Sequence, residues 1–336
     1  MKVALTYNLK KKDETKPIDY FSEFDTQDTI NAIVGALQSR GHDVTPVEAE
    51  YENLFSFFKN NKVDMVFNVA EGKSGKMRES EIPALLEYLR IPHTGSNTFS
   101  LAIALNKAVT KKILSAENIP TPRYQLFSKT DEELNPELKF PLIVKPNCEG
   151  SAKGINKTSV VHDQGELSRE VYRVISVYHQ EALVEEFING REFTVGILED
   201  DKTTILPVME IDFASCEKSG EYFYSWRMKE YQGNAELGLT PTFHCPAALD
   251  KETERKIKEV ALRTHHAIGC FDISRTDIRL SEDNIPYVLE INPLPGLSPR
   301  DSNFPLMAYA NGMRYEDLIE AILKSACKRK EKIEPA

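Results

Sequence analysis

Between residues 275 and 292 the sequence sets Arg275, Asp277 and Arg279 two apart. After a turn at 281–284 it sets Glu290 and Asn292 two apart. In a strand, residues two apart share a face. If 271–280 and 287–292 are adjacent strands, Asp277, Glu290 and Asn292 converge with guanidinium groups beside them. Hard oxygen donors of this kind suit Mg²⁺, which takes few protein ligands and completes its shell with waters and phosphate oxygens. A salt-bridge ladder across two strands is the plainer reading. The continuation Glu290-Ile291-Asn292-Pro293-Leu294-Pro295-Gly296, a polar strand end running into a Pro–Gly turn, favours a site.

A phosphate-binding side can be read further upstream. Lys145 ends the apolar run Pro141-Leu142-Ile143-Val144. The loop Glu149-Gly150-Ser151-Ala152-Lys153-Gly154 follows, and its backbone N–H groups can bend around phosphate oxygens. Lys107 lies one turn from Lys111 on an apolar-striped helix, free to point inward or into solvent. Other nucleotide motifs fail. Gly72-Lys73-Ser74 has the closing residues of a P-loop, but position 67 is Phe where glycine is required, and there is no GxGxxG.

These groups need elements to hold them. In the first ninety residues, strands are expected at 3–7, 44–47 and 63–69, with helices at 26–40 and 82–89, a βαβ rhythm that implies a small parallel sheet. One helix is expected from about Leu101 to Asn118, before Pro120-Thr121-Pro122. Strands at 142–145 and 159–161 and a helix at 165–177 follow. Strands at 182–187, 192–198 and 205–211, the helix 252–268, the two site strands and two short helices complete the chain. The stretch 215–242 has no clean period and mixes Gly220, Gly233 and Gly238 with charges and aromatics, as lids and binding loops do.

Size and charge bound the rest. With 336 residues the chain has room for two or three domains, and 41% hydrophobic with 28% charged residues is ordinary for a globular protein. A formal charge of −10 argues against a nucleic-acid partner. No apolar run reaches membrane-spanning length, and the N-terminus lacks the pattern of a signal peptide. The cysteines Cys148, Cys216, Cys245, Cys270 and Cys327 form no CxxC pair, which speaks against zinc or a disulfide framework and fits a reducing cytoplasm.

With these residues in place the chain resembles the ATP-grasp superfamily, specifically the D-alanine–D-alanine ligase family. The match is carried by Ile91-Pro92-His93-Thr94-Gly95-Ser96, Asn106-Lys107, Ile119-Pro120-Thr121-Pro122, 143–154, 184–198, 274–280 and 289–296. The resemblance implies an α/β chain, α+β in its C-terminal half. It divides into an N-terminal parallel-sheet domain (1–95), a central small α+β subdomain (96–182) and a C-terminal antiparallel-sheet subdomain (183–327) with a lid at 215–242 and a frayed tail at 328–336. It implies that Lys107 and Lys145 hold ATP phosphates under the loop Glu149, Ser151 and Gly154. Glu185, Glu186, Phe187, Ile188 and Leu289 would line the adenine site, and Glu192 would hold the ribose. Asp277, Glu290 and Asn292 would bind Mg²⁺, two ions replaceable by Mn²⁺. Arg275, Ser151 and Lys229 would act at the reacting groups, and Gly296, Ser298, Ser302, Glu23 and Glu71 at the substrate. It further implies small amino-acid-type substrates, no nucleic-acid or membrane partner, and a homodimer.

The departures concentrate in the N-terminal half. The family's Gly-Gly turn after the first strand is replaced by Asn8-Leu9-Lys10-Lys11-Lys12. The position matching its substrate-contacting Glu is Phe24, flanked by Glu23 and Asp25. The family's His-Gly-x-x-Gly-Glu-Asp-Gly reads Glu71-Gly72-Lys73-Ser74-Gly75-Lys76-Met77-Arg78. Lys73, Lys76 and Arg78 are either a carboxylate-binding cluster or a solvated charge run. Glu186 stands for a family Lys, and Glu230, beside Tyr231, for the lid Tyr. The expected activity is an ADP-forming carboxylate–amine ligase; a phosphotransferase on a small carboxylate and a non-catalytic ATP-binding regulator remain open alternatives.

Overall fold

The computed structural model describes residues 1–11, 13–199 and 202–333. The N-terminal elements are β1 (Lys2–Tyr7), α1 (Gln27–Ser39), β2 (Asp43–Glu48), α2 (Tyr51–Asn60), β3 (Met65–Asn68) and α3 (Arg78–Tyr88). The strands form a parallel sheet in the order β2-β1-β3. Thr26 caps α1 by accepting from the Thr29 N–H, and Ile30, Ile33 and Leu37 turn its apolar stripe inward.

Next come α4 (Thr98–Leu105), α5 (Lys107–Ala116), β4 (Tyr124–Phe127), β5 (Leu142–Pro146), β6 (Val160–Val161), α6 (Gln164–Tyr178) and β7 (Ala182–Glu186). Here the antiparallel sheet order is β4-β7-β5-β6. The chain then continues through β8 (Gly190–Glu199), β9 (Thr203–Ile205), β10 (Met209–Asp212), α7 (Trp226–Glu230), β11 (Thr242–His244), α8 (Lys251–Ile268), β12 (Ile273–Ser281), β13 (Pro286–Asn292), α9 (Asn303–Ala310) and α10 (Tyr315–Ile333). Its antiparallel sheet runs β11-β10-β8-β12-β13, with β9 on β8.

The parallel sheet is welded to the last helices by one core that combines Ile30, Ile33 and Phe67 with Phe304, Met307, Leu318 and Ile322. Separate clusters sit between α8 and β8/β12 and between α6 and β5/β7. Among the described residues no helix is long and apolar enough to cross a membrane.

Several elements depart from expectation. The helix expected from Leu101 to Asn118 is two helices, because Asn106 leaves helical geometry and caps α5. Its Oδ1 accepts from the Val109 N–H at 3.1 Å and from Asn147 Nδ2 at 3.1 Å. Asn147 in turn accepts from the N–H groups of Lys107, at 3.1 Å, and Ala108, at 2.9 Å. The start of α5 is thereby stapled to the loop after β5, with Lys107 at the joint.

The strand expected at 205–211 is interrupted at Leu206-Pro207-Val208, where proline cannot donate to a ladder. Helix α2 was not anticipated, and α3 begins at Arg78 rather than near Ile82. The closing helices are not both short: α10 extends to Ile333, through the beginning of the expected frayed tail. Asn106→Ala is expected to lower stability by about 1 kcal/mol through loss of the cap. A fall in the denaturant midpoint checks this, and an unchanged midpoint would show that the cap contributes nothing.

Candidate active site

The site begins with the strand register. β12 and β13 pair so that Asp277 faces Glu290 and Arg275 faces Asn292, with a bulge just after Asp277. Arg275 donates to both carboxylate oxygens of its own strand neighbour Asp277, at 3.0 and 2.8 Å. Thr194 Oγ1 donates to Asp277 at 2.7 Å and Asn292 Nδ2 at 3.3 Å. Lys107 reaches in from α5 to Glu290 at 3.1 Å. Burial alone would raise the Glu290 pKa, but Lys107, Lys145 and Arg275 hold it down at about 2. Arg279 is used differently. It pairs with Glu192 at 3.1 Å, donates to the Ile188 carbonyl at 3.0 Å and lies over the Phe187 ring.

The opposite wall comes from β5 and β7. Lys145 and Lys111 both reach the Glu185 carboxylate, at 2.9 and 3.2 Å. Burial pulls the Lys111 ammonium down to about 8, with Glu185 working against it. Glu186, also on the cavity lining, pairs with Arg123 at 3.0 Å, while Phe187 packs edge-on against Phe223.

The loop after β5 meets the lid. Ser151 and Ala152 adopt left-handed backbone angles, and Ser151 Oγ accepts from Lys229 Nζ at 2.9 Å. Trp226 of the lid donates to Ser22 Oγ at 2.6 Å, and Glu230 pairs with Lys10 at 3.0 Å. The lid carries its own small core of Cys216, Met228 and Leu239. Two loop amides are already engaged by carboxylates: Gly150 N–H by Glu23 at 2.7 Å and Gly154 N–H by Asp19 at 3.2 Å.

Together these elements enclose a cavity of about 340 Å³. All the sequence-predicted site residues line it except Lys107, Glu149 and Gly154. Lys107 stands behind Glu290 and donates to the Glu149 carbonyl at 2.5 Å. The Glu149 carboxylate accepts from Gln180 and pairs with Lys153. A Cβ on Gly154 would strike the Pro146 ring, so this glycine is needed for close packing. Asp277, Glu290 and Asn292 offer the hard oxygens that Mg²⁺ takes. Among the described residues no three His, Cys, Asp or Glu gather closely enough to cage an ion. The set of two carboxylates and an amide therefore fits a metal that shares its shell with phosphates.

At the N-terminal wall Glu23, which flanks Phe24, brings its carboxylate to the loop; it pairs with Arg78 and lies 3.5 Å from Lys153. Burial opposes ionisation of Glu23, but Arg78 and Lys153 hold its pKa at about 2. The basic cluster at 73–78 does not act as one. Lys73 pairs with Glu50 and Lys76 with Glu181, both away from the cavity. Sequence reading missed Asp19 and Glu79, and left open the role of Arg78. The last two belong to the first turn of α3, which the apolar pattern placed four residues too late.

A mixed chain of this topology, with Lys145 facing Asp277, Glu290 and Asn292 across a lidded cleft, has the architecture of an ATP-grasp ligase. Residues 113–324 match the family described as D-ala D-ala ligase C-terminus. A D-alanine–D-alanine ligase of Carboxydothermus hydrogenoformans is 35% identical over 305 residues, covering 88% of this chain and 91% of its own. An uncharacterized protein of Sinorhizobium fredii is 31% identical over 306 residues, covering 89% and 87%. The D-alanine–D-alanine ligase of Bacillus anthracis, solved in complex with ATP, superposes with a TM-score of 0.75 at 26% identity, covering 99% of this chain and 100% of its own. The chain belongs to the D-alanine–D-alanine ligase family.

Asp25 yields a prediction. Burial lifts its carboxyl from 3.8 to about 7. The folded protein keeps a proton that the unfolded chain releases, so the stability tied to Asp25 is present below about pH 4 and lost as pH rises through 7. Asp25→Asn is therefore expected to raise the melting temperature at pH 8 and to leave it near wild type at pH 4. An equal difference at both pH values would contradict the assignment.

Proposed function

We propose that the protein is an ADP-forming, Mg²⁺–ATP-dependent ligase that joins the carboxylate of one amino acid to the amine of another through an acyl phosphate. The observation that carries this reading is the β12–β13 register. It sets Asp277, Glu290 and Asn292 against Lys145 and Ser151 across one lidded cavity.

In this reading the base lies between Phe187, Ile188 and Leu289, with Glu192 at the ribose and Lys145 at the phosphates, while Lys107 backs Glu290 from outside the cavity lining. Asp277, Glu290 and Asn292 would hold the metal, which when bound would supply charge neutralisation at the phosphates. The substrate carboxylate attacks the γ-phosphorus and the bond to the β-phosphate oxygen breaks, giving ADP and the acyl phosphate. Lys145 and Arg275 stabilise the charge on the transferring group, where most catalysis of phosphoryl transfer lies. Arg275 is then positioned to steady the carbonyl oxygen as the amine attacks and phosphate leaves.

Acyl phosphates hydrolyse, so water must be kept out. The contacts Trp226–Ser22, Lys229–Ser151 and Lys10–Glu230 close the lid over the cavity. Gly296, Ser298 and Ser302 line the same cavity as a carboxylate-receiving turn; Ser302 Oγ accepts from the Ser298 N–H at 3.0 Å. An ATP-fed reaction of this kind fits a cytoplasmic enzyme.

Incubation with ATP, Mg²⁺ and a panel of D- and L-amino acids is expected to yield ADP together with a new amide. A stable phosphorylated amino acid would instead support phosphotransfer and sink the ligase reading. Asp277→Ala is expected to reduce turnover by at least about 10³-fold, the scale on which lost charge stabilisation acts in such sites. Survival of activity in that variant would refute the metal assignment.

A further inference from the structure

The cavity is not balanced in charge at its N-terminal end. Glu79 is only 8% exposed, yet its side chain makes no hydrogen bond or ion pair among the described residues. Glu71 and Asp25 line the same end and are likewise unpaired among the described residues. The neighbouring cations are engaged elsewhere. Arg78 is consumed by Glu23, Glu149 and the Cys148 carbonyl. Lys107 is held by Glu290 and Lys229 by Ser151, while Lys10 pairs with Glu230.

A carboxylate withdrawn from water must find a cation or keep its proton. The second course is already visible: burial, reinforced by Glu79, Glu23 and Asp25, pushes Glu71 well above the usual carboxylate range. Glu79 rises to about 7 through burial. A bare metal ion is a poor answer to this patch, because among the described residues no three acidic or metal-binding side chains come close enough to coordinate one. Glu71, Glu79 and Asp25 line one end of the cavity, where an organic cation could reach them.

We propose that this end of the cavity receives a side-chain cation, so that one of the two amino-acid substrates carries an ammonium or guanidinium group recognised by Glu71, Glu79 and Asp25. The inference rests on the ligase reading for the identity of the cavity. A neutral side chain of alanine size would leave Glu71, Glu79 and Asp25 without a directly paired cation, since Arg78 acts on Glu71 and Glu79, and Lys107 on Glu79, only at a distance. A side-chain cation supplies that charge and the hydrogen-bond donors the acids lack, and each such charged hydrogen bond is strong enough to decide between substrates.

The test is calorimetric titration of the full chain, saturated with Mg²⁺ and a non-hydrolysable ATP analogue. The probes are D- and L-ornithine, lysine and arginine, each against its neutral counterpart norvaline, norleucine or citrulline. At least one cationic amino acid is expected to bind about tenfold or more tightly than its counterpart, the scale of one charged hydrogen bond. In Glu71→Gln and Glu79→Gln that ratio is expected to fall towards one, with thermal melts confirming that the variants fold. Glu71→Gln, at the less enclosed position, decides the matter if Glu79→Gln does not fold.

Equal binding of every cationic and neutral pair, no binding by any cationic member, or a ratio that survives the substitutions would overturn the inference. Amide formation is scored separately on the active enzyme. Failure to form any amide sinks the ligase reading, and loss of the charge preference alone sinks only this one.

Discussion

Charged groups gathered where the sheets meet impose the constraint on which the structure depends. Desolvating a carboxylate or an ammonium costs several kcal/mol unless a partner and hydrogen bonds replace the water. Glu290 on β13 needs Lys107 from α5, and Glu185 on β7 needs Lys145 from β5 and Lys111 from α5. Each of these pairs crosses from one element to another. The antiparallel sheets, the helix start at Asn106 and the loop after β5 must therefore come together in one arrangement. The same pairs hold anionic and cationic groups ready for a ligand that carries both phosphate and metal charge. A site of this kind is preorganised, since its dipoles and charges are set before the reaction begins.

The segment between β1 and α1 ties the N-terminal sheet to this centre. Asp19 and Glu23 each accept a loop N–H, and Asp19 also accepts from the Tyr178 hydroxyl at 2.6 Å. Ser22 receives the lid tryptophan. This stretch touches both the phosphate-side loop and the lid. Departures in this half are thus not remote from the chemistry; they form one wall of the cavity. Lid contacts and cavity wall share residues of this segment, Ser22 and Lys10 among them.

The C-terminal half was legible in the sequence because its signals are local. The two-residue spacing of Asp277 and of Glu290 with Asn292 requires only that the strands pair, and the turn at 281–284 makes that pairing nearly unavoidable. Lys145 was equally plain, at the end of an apolar strand. Lys107 was ambiguous because nothing local says which way a helix lysine points; that is decided by Asn106 and Asn147, 41 residues apart. The partners of Arg78 were illegible for the same reason. Lys73, Lys76 and Arg78 look alike in sequence, yet only Arg78 turns inward, because α3 begins there and faces Glu23. Short polar segments such as 8–25 have no period from which a contact can be read, so Asp19 had no sequence signal.

The central claim is that a carboxylate is activated by phosphorylation in this cavity. It is tested most directly by giving the enzyme ATP, Mg²⁺ and an accepted amino acid whose carboxylate oxygens are isotopically heavy, then weighing the released phosphate by mass spectrometry. The account predicts that one heavy oxygen passes from the substrate carboxylate to each phosphate formed with amide. Phosphate that leaves without any heavy oxygen would mean that the carboxylate never attacked phosphorus, and would contradict the account.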